Sequence, residues 1–272
     1  MPCTFKQKFY HFVLRKHLYQ KWRERIFLNL HRQRIQKCDH YILLSDSYKR
    51  EYLKWAGNEA KEDKLDSIPN PLSYSFYYDM CQYRNKKKEV LFIGRIVEED
   101  KRLSYILKIW KEIEADAKLN GWILRIVGDG KDMENTQNLS KQLKLERVCF
   151  EGFKDPKPYY EQACIFMMTS AKEGFPMVLV ESQQSAVVPI AMDTFSVLCD
   201  IIHNETDGII VNDNNIHGFV ESMKELMLND DYREQLARNG LESCKKYEIG
   251  IIADRWEKLF YSHLGLHNSN TK

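Results

Sequence analysis

Glu89–Trp110, EVLFIGRIVEEDKRLSYILKIW, is a short apolar run closed by a glycine, a charged loop, and then a helical stretch that continues to about 118. That order is one β-α unit of the kind that builds parallel sheets. Downstream the pattern repeats: WILRIVG before a helix over 131–143, RVCFEG before one over 155–162, and CIFMMTS before one that starts at Pro176. It continues through VVPIAM, a short helix near 196–202, and DGIIV. Only helices follow, over roughly 215–228, 230–244 and 251–263. Six short strands with crossovers predict an α/β, doubly wound Rossmann-like domain over about 88–245, with residues 246–272 forming a C-terminal helix that packs back on the N-terminal part.

Upstream, HYILLS reads as a strand, DSYKREYLKWAG as a helix opened by Asp46 or Ser47 and ended by Gly57, and KLDSIPNPL as a strand running into a proline turn. These are the last elements of a second α/β unit. SYSFYYDMCQYRNKKK is polar and lacks clear periodicity, so residues 39–87 are expected to hold that remnant and an inter-domain connection.

A chain of 272 residues, 43% apolar and 12% aromatic, has ample material for a buried core. Seven cysteines without a C-x-x-C pair suggest neither a disulfide framework nor a zinc ribbon. No signal peptide opens the sequence and no apolar run reaches a membrane span of roughly 18 residues, so a cytoplasmic placement is expected. The net charge of +2 is unevenly spread, because residues 1–38 hold ten Lys or Arg against Glu24 alone, leaving about −7 on the remainder. Within that basic segment Phe5, Phe9, Phe12, Leu18, Trp22, Ile26 and Leu30 recur at three-, four- or six-residue steps, as on an amphipathic helix. Such a helix either packs on a domain with a solvated cationic face or, over residues 5–37, lies on an anionic membrane surface at the inner face of the membrane. The acidic remainder argues against nucleic acid as a partner.

In open α/β sheets ligands lie outside the carboxyl ends of the strands, so the loops after the strands carry the candidate site. In GRIVEEDKR, Gly94 ends a strand and Arg95 and Lys101 are cations suited to a diphosphate, although charged loops are often only solvated surface. In VGDGKDME, Gly128 and Gly130 permit close approach of a ligand or of backbone. They supply only part of a dinucleotide fingerprint, because the third glycine position is Met133. In FEGFKDP, Phe153 follows a strand and reads either as the wall of a base pocket or as core.

KEGFPMVLVES, Lys172–Ser182, carries the most specific pattern. Pro176 suits the first position of a helix, with Gly174 and Phe175 as the lead-in turn. The amides of Met177, Val178 and Leu179 then lack helical acceptors and sit at the positive end of the helix dipole, an anion site. Glu173 precedes the helix and Glu181 lies roughly 7.5 Å up its axis from Pro176, at 1.5 Å per residue. Each alone reads as an ordinary helix charge. Together they bracket the anion site with hydroxyl acceptors, which fits a nucleoside diphosphate sugar.

With these stretches in this order, IGRIVEEDKRLSYILKIW, LRIVGDG, VCFEGF and SAKEGFPMVLVES, the sequence resembles family four of the retaining glycosyltransferases over about residues 39–262. Glu173 and Glu181 match that family's glutamate, seven residues, glutamate motif, and the surrounding wording resembles bacterial enzymes of capsular polysaccharide and lipopolysaccharide synthesis. The resemblance implies a GT-B fold and hexosyl transfer from a UDP- or GDP-sugar to a glycan or lipid-linked acceptor, without metal or other cofactor. It implies that Arg95 and Lys101 bind the diphosphate and steady the departing charge. Glu173 would contact the transferred sugar, Gly174–Val178 cradle the phosphates, and Glu181 bind the ribose. Gly94, Gly128, Gly130 and Phe153 match loops near the phosphates and base. Family members carry a full first Rossmann-like domain with an acceptor cleft and a histidine near the transferred sugar. Here only the last strands of that domain are matched, and His11, His17 and His31 lie on the basic segment, so a truncated or split enzyme is expected. Two other readings follow from the same residues: a nucleotide-sugar-binding subunit or pseudoenzyme that needs a separate acceptor-domain partner, and, disfavoured by the incomplete glycine pattern, a nicotinamide-dependent oxidoreductase.

Overall fold

The structure, a computed structural model, describes residues 33–56 and 62–265 together with positions 18, 22, 26, 29 and 30. Internal contacts divide the chain into two compact units, Met1–Ser67 and Ile68–Lys272.

The first unit contains β1 (Tyr41–Leu43), α1 (Asp46–Ala56) and β2 (Leu65–Ser67), with the two strands parallel and Tyr41 opposite Leu65. Ser45, rather than Asp46 or Ser47, caps α1: its Oγ accepts from the Tyr48 amide at 3.1 Å. Asp46 instead accepts a short hydrogen bond from Ser67, which ties the helix start to the end of β2. Ile35, Tyr52 and Leu65 form its small core. Leu18, Trp22, Ile26 and Leu30, at successive four-residue steps, are all exposed. The expectations for Phe5, Phe9, Phe12, the three histidines of this segment and Gly57 fall outside the described residues.

The second unit is built on a six-stranded parallel sheet: β3 (Glu89–Ile93), β4 (Ile123–Val127), β5 (Val148–Gly152), β6 (Ile165–Met168), β7 (Val188–Asp193) and β8 (Ile209–Asn212). Their spatial order is β5-β4-β3-β6-β7-β8, so the chain winds outward to β5, returns beside β3 at β6, and winds out the other way. Parallel strands covered on both faces read as continuous apolar runs, and β6 is buried at all four positions. Pro189 is tolerated inside β7 because β8 begins pairing only at Ile190, opposite Ile209.

The helices are α2 (Glu98–Lys101), α3 (Leu103–Glu114), α4 (Met133–Gln142), α5 (Lys157–Gln162), α6 (Met177–Gln184), α7 (Leu198–Ile201), α8 (Ile216–Leu228), α9 (Asp230–Ser243) and α10 (Ile249–Leu264). In α3 the buried set Leu103, Ile106, Leu107, Ile109, Trp110 and Ile113 follows the helical repeat. Burying each such large side chain contributes ~1.5–3 kcal/mol before entropy is charged. Trp110, Trp122, Tyr160, Phe166 and Phe219 are the largest fully buried residues of this core.

The division between the two compact units falls at Ser67/Ile68, so residues 68–87 group with the second unit. Residues 68–87 pack on the second unit through polar bonds that leave no periodic signature. Gln184 Nε2 donates to the carbonyls of Tyr74 and Phe76, each at 2.7 Å, and Tyr78 N donates to Gln184 O at 3.2 Å. Tyr83 enters the core, and the Lys86 ammonium donates to the carbonyls of Tyr160, Glu161 and Ala163 where α5 ends.

Candidate active site

The strand order reverses between β3 and β6, and the crevice outside the carboxyl ends at such a reversal is where open sheets bind ligands. The loops that leave these two strands are residues 94–102 and 169–176, and they are sewn together. Ala171 N donates to Asp100 O at 2.7 Å, and Thr169 Oγ1 reaches Lys101 O at 3.0 Å and Arg102 O at 3.1 Å. Arg102 takes the left-handed conformation (φ 51°, ψ 51°) that separates α2 from α3. Glu98 caps α3, accepting from Ser104 N at 3.0 Å and from its hydroxyl.

Lys101, the last residue of α2, donates to Glu173 Oε1 at 2.5 Å, and the two side chains are only 15% and 12% exposed. At that depth the Coulombic attraction is screened less than in a surface bridge, against the cost of desolvating both ions. The neighbouring Lys172–Glu99 pair, 3.7 Å apart with both side chains well exposed, contributes little. Arg95 is exposed, and its guanidinium has no ion pair or hydrogen bond among the described residues. One cation is therefore held by a carboxylate and the other is available.

Gly128 and Gly130 have a reason of their own. A Cβ on Gly128, whose φ is +140°, would sit 1.9 Å from Gly94 O, and one on Gly130 would sit 2.3 Å from Ile96 O. The β4–α4 turn lies directly against the backbone of residues 94–96, and Ile96 N donates to Asp129 O at 2.9 Å. Glycine is needed here for backbone to meet backbone. Phe153 is 90% exposed, which removes the core reading for it.

The helix of the third loop begins one residue later than expected. Pro176 is the cap, and Met177 opens α6. Two of the three amides expected to be vacant are used, Met177 N by Phe175 O and Leu179 N by Pro176 O, each at 2.9 Å. The N–H groups of Gly174, Phe175 and Val178 have no acceptor among the described residues. They ring a helix start with no acid in its first turn, a suitable seat for an anion.

Glu181 is 9% exposed on a helix whose residues 179–184 are all buried. Its Oε1 accepts from Ser73 Oγ and its Oε2 from Tyr160 OH at 3.0 Å. Burial, and then the Glu181 carboxylate, push the Tyr160 phenol well above the ordinary tyrosine range. The same two causes, in the same order, raise the Tyr74 phenol to about 12. Neither Ser73 nor Tyr160 is marked by any sequence motif. Among the described residues no group of three or more His, Cys, Asp or Glu is placed to hold a metal ion, and no helix is long and apolar enough to cross a membrane.

The arrangement combines two cations, three amides at a helix start and two carboxylates around a topological switch point. The profile of the family "Glycosyl transferases group 1" matches residues 82–243. The chain is 29% identical over 223 residues to GalNAc-alpha-(1->4)-GalNAc-alpha-(1->3)-diNAcBac-PP-undecaprenol alpha-1,4-N-acetyl-D-galactosaminyltransferase of Campylobacter jejuni, covering 82% of this chain and 60% of that protein. It is 26% identical over 247 residues to the lipopolysaccharide 1,6-galactosyltransferase of Salmonella typhimurium, covering 88% of this chain and 62% of that one. Among solved structures, a TarM variant of S. aureus in complex with Fondaparinux, alpha-GlcNAc-glycerol and UDP superposes with a TM-score of 0.71 at 21% identity, over 83% of this chain and 44% of that one. The chain thus spans about three fifths of the length of these curated relatives. Its architecture is GT-B type, with a doubly wound domain and a smaller α/β unit. The chain belongs to the group 1 glycosyl transferases.

Proposed function

We propose that this chain binds a UDP- or GDP-activated hexose and transfers the sugar with retention to a glycan or lipid-linked acceptor in capsular polysaccharide or lipopolysaccharide synthesis. One observation carries the reading: Lys101 and Glu173, paired at 2.5 Å, and the vacant amides of Gly174, Phe175 and Val178 belong to the segments that follow β3 and β6, with Glu181 one turn further along α6. In this reading Arg95, Lys101 and those amides hold the diphosphate and stabilise the charge that develops as the bond from the anomeric carbon to the phosphate oxygen breaks. Glu173 accepts from hydroxyls of the transferred sugar, and Glu181 from the ribose. The acceptor hydroxyl attacks on the face that the diphosphate leaves and passes its proton to the departing phosphate oxygen, which preserves the anomeric configuration. Names of relatives acting on an undecaprenol-linked glycan and on lipopolysaccharide support the acceptor class. The basic segment 5–37, with Leu18, Trp22, Ile26 and Leu30 exposed at four-residue steps, supports contact with an anionic membrane surface on the cytoplasmic side.

The test is a screen of UDP- and GDP-hexoses, with and without anionic phospholipid vesicles, read by proton NMR of the anomeric signals. The expected result is nucleoside diphosphate release with the donor's configuration kept in the sugar product, abolished by Glu173→Gln. A product of inverted configuration would overturn retention. Binding without any release would favour the alternative, a nucleotide-sugar-binding half that acts with a separate acceptor subunit.

A further inference from the structure

Glu181 is a buried carboxylate whose two hydrogen bonds both come from neutral hydroxyls. Its charge is solvated but not cancelled, and each oxygen, able to accept twice, retains acceptor capacity. The two donors come from separate segments upstream of Glu181, and each is fixed by its own surroundings. Tyr160, on α5, is fully buried, its ring lies 6.3 Å from that of Phe166, and its hydroxyl also lies 3.3 Å from Val178 O on the first turn of α6. Ser73 belongs to the segment that Gln184 clamps through the Tyr74 and Phe76 carbonyls, and the preceding residue, Leu72, donates to Tyr247 O at 2.8 Å. Gln184 and Glu181 stand one turn apart on α6, so one helix face anchors both the carboxylate and the segment that supplies its donor.

We infer that Tyr160 and Ser73 are positioning residues for ribose recognition: by taking one lone pair from each oxygen they lock the Glu181 carboxylate in the orientation that accepts the vicinal ribose hydroxyls, and so make the site select ribonucleotides over 2′-deoxyribonucleotides. This rests on the assignment of Glu181 to the ribose. A carboxylate with rotational freedom would still bind a ribose, at the cost of ordering itself, and would distinguish one hydroxyl from none less sharply. Tyr160 is suited to the task because its phenol stays protonated, and therefore a donor, throughout the neutral and moderately alkaline range.

The experiment is calorimetric titration of the full chain and its Tyr160→Phe, Ser73→Ala and Ser73→Thr variants with UDP, 2′-deoxy-UDP and inorganic pyrophosphate, alongside thermal melts. The parent should favour UDP over 2′-deoxy-UDP by about tenfold or more, as expected for one hydrogen bond to a charged acceptor. Tyr160→Phe and Ser73→Ala should each cut that ratio to about threefold or less, leaving pyrophosphate affinity unchanged, and Ser73→Thr should restore it. A parent ratio near one, or variants that weaken UDP and 2′-deoxy-UDP equally, would overturn the inference while the donor site stands. Absence of binding by UDP and by GDP alike would instead remove the donor-site reading, and this inference with it.

Discussion

Glu173 and Glu181 are the same side chain eight positions apart on either side of one helix start, and they are solvated in opposite ways. Glu173 is bonded to the Lys101 ammonium, while Glu181 is bonded to two hydroxyls. A carboxylate paired with a cation is spoken for until something displaces it, and the cation is occupied as well. A carboxylate held by neutral donors keeps its full charge and its appetite for further donors. In the proposed reading a diphosphate would compete with Glu173 for Lys101, and donor binding would release Glu173 toward the sugar as it captured the lysine. At the Glu181 end nothing has to be displaced.

Substitutions that break this contrast should rank accordingly. Glu181→Ala removes the acceptor and strands the hydroxyls of Ser73 and Tyr160, so UDP affinity should fall about 100-fold, or ~2.8 kcal/mol, by calorimetry. Lys101→Ala should cost about tenfold at low salt and flatten the salt dependence of UDP binding, because the remaining contacts are one exposed arginine and amides. Glu173→Gln should do the reverse at the smallest scale, tightening UDP by about threefold through the freed lysine while sugar release is lost. If Glu173→Gln weakened UDP instead, the carboxylate and the diphosphate would not be rivals for Lys101.

The same contrast marks what was legible in the sequence. The six strands could be read because a parallel sheet buried on both faces must be written as short apolar runs, and the glycines after β3 and β4 punctuate them. The pairing of Glu173 and Glu181 around a helix start was legible from spacing alone. The partners of those carboxylates were not: Ser73 lies 108 positions from Glu181 and Tyr160 lies 21, and hydroxyls carry no periodic or compositional signal. The attachment of residues 68–87 to the second unit is hidden for a similar reason, since Gln184 holds residues 74–78 largely by side-chain amide and backbone bonds. The glycines at 128 and 130 signal a close approach in the sequence itself. What approaches, the backbone of Gly94 and Ile96, follows only from the register of β3 against β4. The start of α6 was misread by one residue because Pro176 fits both the cap and the first helical position, and turn bonds to Phe175 and Pro176 carbonyls use two amides that the helix pattern alone leaves vacant.

The proposed function requires the second unit to be a nucleoside diphosphate site, with Lys101 and the amides before α6 at one end and Glu181 at the other. Calorimetric titration of the full chain with UDP and GDP at low and moderate salt tests it most directly. Saturable one-to-one binding of at least one of the two is expected, weakened by salt through the diphosphate and by Glu181→Ala through the ribose. No heat of binding with either nucleotide, or binding that Glu181→Ala and Lys101→Ala leave untouched, would contradict it.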